Sequence, residues 1–154
     1  MKSVCFNTPF TDLKISQQDN QLCEIDFISA VKVGEQVDDA FLLDVQQQIG
    51  RYLEVPSYHF NLPMKPQGTE FQRRVWQYLC EIPAGQVRTY GQIAKDLKTS
   101  ARAVGNACRA NPIPLIVPCH RVVSARGIGG FAGQTEGQRI SIKRQLLAHE
   151  GVEI

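Results

Sequence analysis

The sequence predicts an α+β fold: a small N-terminal antiparallel sheet with a helix, followed by a mostly helical C-terminal domain with a helix-turn-helix. Three observations predict it. Strand-like alternation of apolar residues is confined to the start of the chain, helical periods opened by capping boxes dominate the rest, and an aperiodic stretch rich in proline separates the two.

In the runs SVCFN, DLKIS and LCEIDFI every second residue is apolar, and the turn-rich TPFTD and QQDNQ separate them, so they read as an antiparallel meander. The run DDAFLLDVQQQIGRYLE then places Phe41, Leu42, Val45, Ile49 and Leu53 on one helical face behind an acidic start. VPSYHFNLPMKPQG has no period and is a connector, which sets an N-terminal lobe at residues 1–67 and a C-terminal domain at 68–154. Thr69 and Gln72 form a capping box ahead of Phe71, Val75, Trp76 and Leu79. Thr89 and Gln92 repeat it before Ile93 and Leu97, and ARAVGNACRAN follows after a short break, which suggests helix-turn-helix. Pro112 and Pro114 stop the second of these helices, LIV and HRVV suit buried extended chain, and RGIGGFAG is a glycine-rich loop. A last helix runs from a Thr135 cap through Ile140, Leu146 and Leu147 to a stop at Gly151.

The 154 residues carry a formal charge of only +2, but the charge is unevenly spread. Residues 1–68 hold five Lys/Arg against nine Asp/Glu, and residues 69–126 hold nine against three. A basic middle can face phosphates, though solvated helix faces give the same count. No segment approaches the roughly 18 apolar residues of a membrane helix, and the N-terminus is not a leader, so a soluble cytoplasmic protein is expected. Five cysteines without framework spacing fit a reducing compartment better than a disulfide scaffold. There is no phosphate loop, nicotinamide fingerprint or metal motif, and no cofactor is expected.

The chemistry concentrates in PCHRVV. A thiolate is a strong nucleophile, yet a free cysteine with a pKa of about 8.5 is mostly protonated at neutral pH and needs a base. His120 is next to Cys119, but neighbours in extended chain point to opposite faces. Either a bend at Pro118 and Cys119 brings them together or a water carries the proton, and the relay is the preferred reading. The imidazole also needs an acceptor on its other nitrogen. Glu150 supplies one if the last helix packs beside this stretch, whereas Glu136 lies at the far end of that helix. Taken singly, each residue has an ordinary reading: a packed small thiol, a surface histidine, a terminal glutamate. A DNA-binding regulator with an inert Cys119, or a thiol hydrolase without an identifiable oxyanion device, fits the same residues.

The assembled motifs narrow this. NPIPLIVPCHRVV, preceded by TYGQIA and SARAVGNACRA and followed by LLAHEG, resembles the O6-alkylguanine-DNA alkyltransferases, also called methylated-DNA–protein-cysteine methyltransferases, over residues 69–151. The resemblance implies that Cys119 takes an alkyl group from O6 of guanine, and by extension from O4 of thymine, once per molecule. His120 would deprotonate it through a water, Glu150 would orient the imidazole, and Asn111 would join the same network. The implied partner is double-stranded DNA bound by a monomer through the minor groove. Arg102 would fill the place of the extruded base, Tyr90 would press on the target phosphate and line the base pocket, and Ala101, Ala103 and Gly105 would give a smooth helix face. Val122, through its carbonyl, with Phe131 and Ala132, would complete that pocket. Phe131–Gln134 departs from the Tyr-Ser-Gly-Gly of some members and lacks a side-chain hydroxyl. Arg121 is implied to be structural. A structural zinc in the first lobe has only Cys5, Cys23 and His59 as candidate ligands, and no metal is expected.

Overall fold

A computed structural model describes residues 1–28, 38–131 and 137–154. Three strands, β1 (Lys2–Asn7), β2 (Asp12–Gln18) and β3 (Gln21–Ile28), form an antiparallel sheet in that order. Asp19 and Asn20 both adopt positive φ (54° and 57°) between the paired Gln18 and Gln21. That is the two-residue hairpin turn whose twist matches the strands, and Asp and Asn tolerate it. Helix α1 (Ala40–Glu54) starts where the Asp39 carboxylate accepts the Leu42 N–H at 2.9 Å, and it buries Leu42, Val45, Ile49 and Tyr52.

The connector leads to α2 (Glu70–Cys80), with both bonds of the Thr69–Gln72 capping box present. A two-residue strand, β4 (Arg88–Thr89), precedes α3 (Tyr90–Leu97), whose Thr89–Gln92 box is also complete. Lys98, in the left-handed region, turns the chain into α4 (Ala101–Arg109), capped by Ser100. Helices α3 and α4 are the expected helix-turn-helix. Trp76 on α2 locks α4 in place by donating its indole N–H to the Ala107 carbonyl at 2.8 Å.

The stretch around Cys119 departs from expectation. It is not extended: Cys119–Arg121 is a single 3-10 turn, and only β5 (Val122–Val123) pairs, in parallel, with β4. Prolines 112, 114 and 118 have no N–H to give a ladder, so the chain satisfies itself locally. Val117 N–H bonds the Ile113 carbonyl, and Cys119 N–H bonds the Val117 carbonyl at 2.8 Å across Pro118 (φ −82°, ψ 65°), an inverse γ-turn. Leu115 adopts a φ of 77°, a strained conformation for a residue with a side chain.

Helix α5 (Gln138–His149) has Gly137 at its N-cap and no side-chain cap; the expected Thr135 cap lies outside the described residues. Its end is tightly closed. Gly151 (φ 84°) donates to the Ala148 carbonyl and Val152 to that of Leu147, a Schellman motif that fixes Glu150 at the C-cap. One apolar core joins Ile15, Leu22, Ile49 and Tyr52 to Val75, Ile93, Ile113 and Leu146. The edge of β3 is bonded to both flanking segments, at Leu22 by Pro63 and Lys65 and at Ile25 by the Pro112 carbonyl.

Candidate active site

The 3-10 turn carries Cys119 and His120 side by side in the chain, both buried. Glu150 meets His120 from the end of α5: its Oε2 lies 2.8 Å from His120 Nε2. The same carboxylate accepts from Arg121 Nε at 2.9 Å and Nη2 at 3.0 Å, and from the Tyr52 hydroxyl at 2.5 Å. Arg121 also donates to the Ile82 carbonyl. Burial pushes the Glu150 carboxyl up, but these donors outweigh it and hold it at about 2, so it is ionised. Burial pushes the His120 imidazole down despite the Glu150 charge, which leaves it neutral near pH 7. With a carboxylate facing Nε2, the neutral ring carries its proton there, and Nδ1 is left as an acceptor. Among the described residues, that buried Nδ1 has no hydrogen-bond partner.

Burial also raises the Cys119 thiol, against a hydrogen bond with the Asn111 side chain and the charge of Lys143. Asn111 ties three segments together: its amide donates to the Val117 carbonyl at 2.9 Å and its Oδ1 accepts from Ile113 N–H at 3.0 Å. Lys143, on α5, is fully buried, and its ammonium bonds the carbonyls of Val122 at 2.7 Å and Gly130 at 2.8 Å. Burial lowers it to about 8, opposed by attraction to Cys119 and Cys108.

Tyr90 opens α3 near Cys108 and Cys119. Burial, then the nearby Cys108 and Cys119, push its phenol up to about 12, and its hydroxyl lies 3.5 Å from the Gly130 carbonyl. Gly129 (φ 73°) lets the loop pass close by, since a Cβ there would stand 3.1 Å from the Tyr90 ring. Arg102 and Ala101 are exposed in the first turn of α4, with Ala103 and Gly105 half-buried farther along. Val122 and Phe131 are buried, and the Phe131 ring packs on Phe27 at 5.5 Å. Ala132 lies outside the described residues.

Comparison with known proteins decides the family. The profile described as 6-O-methylguanine DNA methyltransferase, DNA binding domain, matches residues 70–152. A methylated-DNA–protein-cysteine methyltransferase of Methanosarcina acetivorans is 37% identical over 153 residues, covering 95% of this chain and 96% of its own. This chain belongs to that family. The corresponding protein of Methanosarcina mazei is 44% identical over 106 residues, 67% of each chain. Among solved structures, the Mycobacterium tuberculosis O6-methylguanine methyltransferase has a TM-score of 0.77 at 31% identity, covering 96% of this chain and 91% of that one. OGT of the same organism, solved in complex with DNA, also has a TM-score of 0.77 at 31% identity, over 97% and 92%.

In this methyltransferase-family chain the fold brings Cys119, His120, Glu150 and Asn111 into one cluster, with Tyr90 and Val122 beside it. Two participants escaped sequence reasoning. Lys143 stands three residues after Ile140 and four before Leu147, so a lysine on the apolar face of α5 was a visible signal. Tyr52 sits on the core face of α1, but its pairing with a residue 98 positions away left no local trace. Among the described residues, no group of three or more His, Cys, Asp or Glu is placed to hold a metal ion, and no helix is long and apolar enough to cross a membrane.

Proposed function

We propose that this protein repairs O6-alkylguanine in double-stranded DNA by moving the alkyl group irreversibly onto Cys119, once per molecule. The carrying observation is the buried, unpartnered Nδ1 of a neutral His120 whose other nitrogen faces an ionised Glu150. That tautomer accepts the thiol proton through one water, and the imidazolium formed is stabilised where it stands by the carboxylate. Asn111 and the Lys143 ammonium favour the thiolate left behind. Its sulfur attacks the alkyl carbon: the S–C bond forms, the C–O bond breaks, and the departing guanine takes up a proton. A thioether has no easy return to thiolate, so the acceptor is spent. The same chemistry serves O4-alkylthymine.

The target atom lies inside the duplex, so its nucleotide must be extruded at a cost of a few kcal/mol. Arg102, exposed in the first turn of α4, fills the gap, and Tyr90 supports the flipped nucleotide. The small Ala101, Ala103 and Gly105 let α4 approach closely, which suits the minor groove, where readout is degenerate and repair must act on any sequence. In this reading the Val122 carbonyl, Phe131 and Ala132 border the base. Residues 68–154 carry transfer and DNA binding, residues 1–67 form a supporting lobe, and the protein acts as a monomer.

Duplex DNA with one O6-methylguanine, followed by intact-protein mass measurement and peptide mapping, tests this directly. A single methyl gained per molecule, on Cys119, is expected. Binding without mass gain would favour a regulator with an inert thiol, and repeated turnover on esters would favour a hydrolase.

A further inference from the structure

Two thiols, not one, face the cavity beside the acceptor. Cys108, in the last turn of α4, and Cys119 both line an opening of about 170 Å3, together with Asn111 and Pro112. Asn111 holds the two walls together. Its backbone N–H donates to the Cys108 carbonyl at 3.2 Å, while its side chain bonds the Val117 carbonyl and the Cys119 thiol. Burial, then the neighbouring Cys119, push the Cys108 thiol well up, against the Lys143 ammonium, so Cys108 stays protonated until it reacts. The two thiols lie within electrostatic reach of each other and of Lys143. Alkyl transfer as described above gives Cys108 no task. A cavity-facing thiol beside a second thiol is, however, the arrangement that captures a sulfenic acid before further oxidation destroys it.

We propose that Cys108 is the resolving thiol of Cys119: a peroxide entering the cavity oxidises Cys119 to a sulfenic acid, and Cys108 closes on it as a reversible disulfide. The Cys119 thiolate attacks one oxygen of hydrogen peroxide. The S–O bond forms, the O–O bond breaks, and the leaving hydroxide takes the proton the thiol gave up, leaving as water. The Cys108 sulfur then attacks the sulfenic sulfur. The S–S bond forms, the S–O bond breaks, and the hydroxide leaves with the Cys108 proton as a second water. Two thiols have given two electrons to one peroxide, and a dithiol reductant reverses the outcome by exchange. The bond asks that the two Cα atoms lie within about 7 Å, and the bonds of Asn111 hold the end of α4 against the segment entering the 3-10 turn. For a protein whose acceptor works once, oxidation to sulfinic acid wastes a molecule as completely as an alkyl group does. The disulfide stores it instead, unable to accept alkyl until reduced.

The test treats the full-length reduced protein with hydrogen peroxide, blocks remaining thiols, and maps a non-reducing digest by mass. A linked peptide pair joining Cys108 to Cys119 is expected, with methyl-accepting capacity lost and then restored nearly completely by dithiol. Cys108→Ser, which keeps full capacity when reduced, should lose it permanently under the same treatment, with sulfinic acid on Cys119; Cys108→Ala should behave alike. Equal over-oxidation of Cys119 in wild type and variants, or a bridge to Cys80 or Cys23 instead, would overturn the proposal. The inference rests on Cys119 as a cavity-facing thiol. If the reduced protein accepts no methyl from DNA, the alkyl-transfer reading fails, while the peptide map still decides the disulfide.

Discussion

Glu150→Gln removes the charge on which His120, Arg121 and Tyr52 converge. Glutamine keeps one acceptor oxygen but turns an NH2 group toward donors, and it leaves the Arg121 guanidinium without a counter-charge. At about 1.4 kcal/mol per pH unit, holding the carboxyl at about 2 rather than its ordinary 4.5 is worth roughly 3 kcal/mol to the folded state. That agrees with the roughly 3–5 kcal/mol typical of breaking a buried ion pair. Because the folded value is the lower one, this contribution is complete above 4.5 and disappears as pH falls through about 2. Urea unfolding of wild type and variant across that range is the assay. Wild type should lead by roughly 3 kcal/mol near neutral pH, with the gap closing steadily on acidification. A gap that stays constant with pH would refute the assignment of the charge to this cluster. In the same samples the single-turnover transfer rate should fall by about 10²-fold or more, and an unchanged rate would remove Glu150 from the mechanism.

Cys119→Ala should abolish methyl transfer while leaving duplex affinity intact by gel shift; equal loss of both would mean a core residue had been taken for a nucleophile. Arg102→Ala should slow repair of duplex far more than reaction with a free O6-alkylguanine base, measured by single-turnover mass analysis, and parallel losses would count against insertion into the helix. Lys143→Met should raise the Cys119 thiol further, slowing its reaction with iodoacetamide at neutral pH by about tenfold or more and moving the rate profile to higher pH, whereas Lys143→Arg keeps the charge. Identical profiles for Met and wild type would confine Lys143 to tethering the Val122 and Gly130 carbonyls. DNA affinity should fall as salt is added, as expected where Lys and Arg displace counterions from phosphates.

What the sequence disclosed was local. The Thr69 and Thr89 starts, the apolar face of α2 and the alternation of the three strands all depend on neighbours within a few residues. Of the two runs that suit extended chain, HRVV is a strand only at Val122 and Val123, while LIV lies between Pro114 and Pro118 in a bent loop. Buried apolar runs look alike in a strand and in a loop whose prolines have no N–H for a ladder. The pairing of His120 with Glu150 was legible only as a condition on how α5 packs, and the resemblance of LLAHEG supplied that condition. Tyr52 and the double duty of Arg121 were not legible, since they arise from packing between segments far apart in the chain.

The Tyr52 hydroxyl ties the first half of the molecule to the carboxylate that faces His120. Helix α1 holds one of the donors that keep Glu150 ionised, and the Tyr52 carbonyl also lies 2.8 Å from His149 Nε2, one residue away. The early lobe thus helps set the charge state of Glu150, and under the proposed transfer it belongs to the acid–base apparatus rather than to ballast. A recombinant that borrowed only the DNA-reading half would inherit the thiol and the imidazole with their electrostatic setting altered.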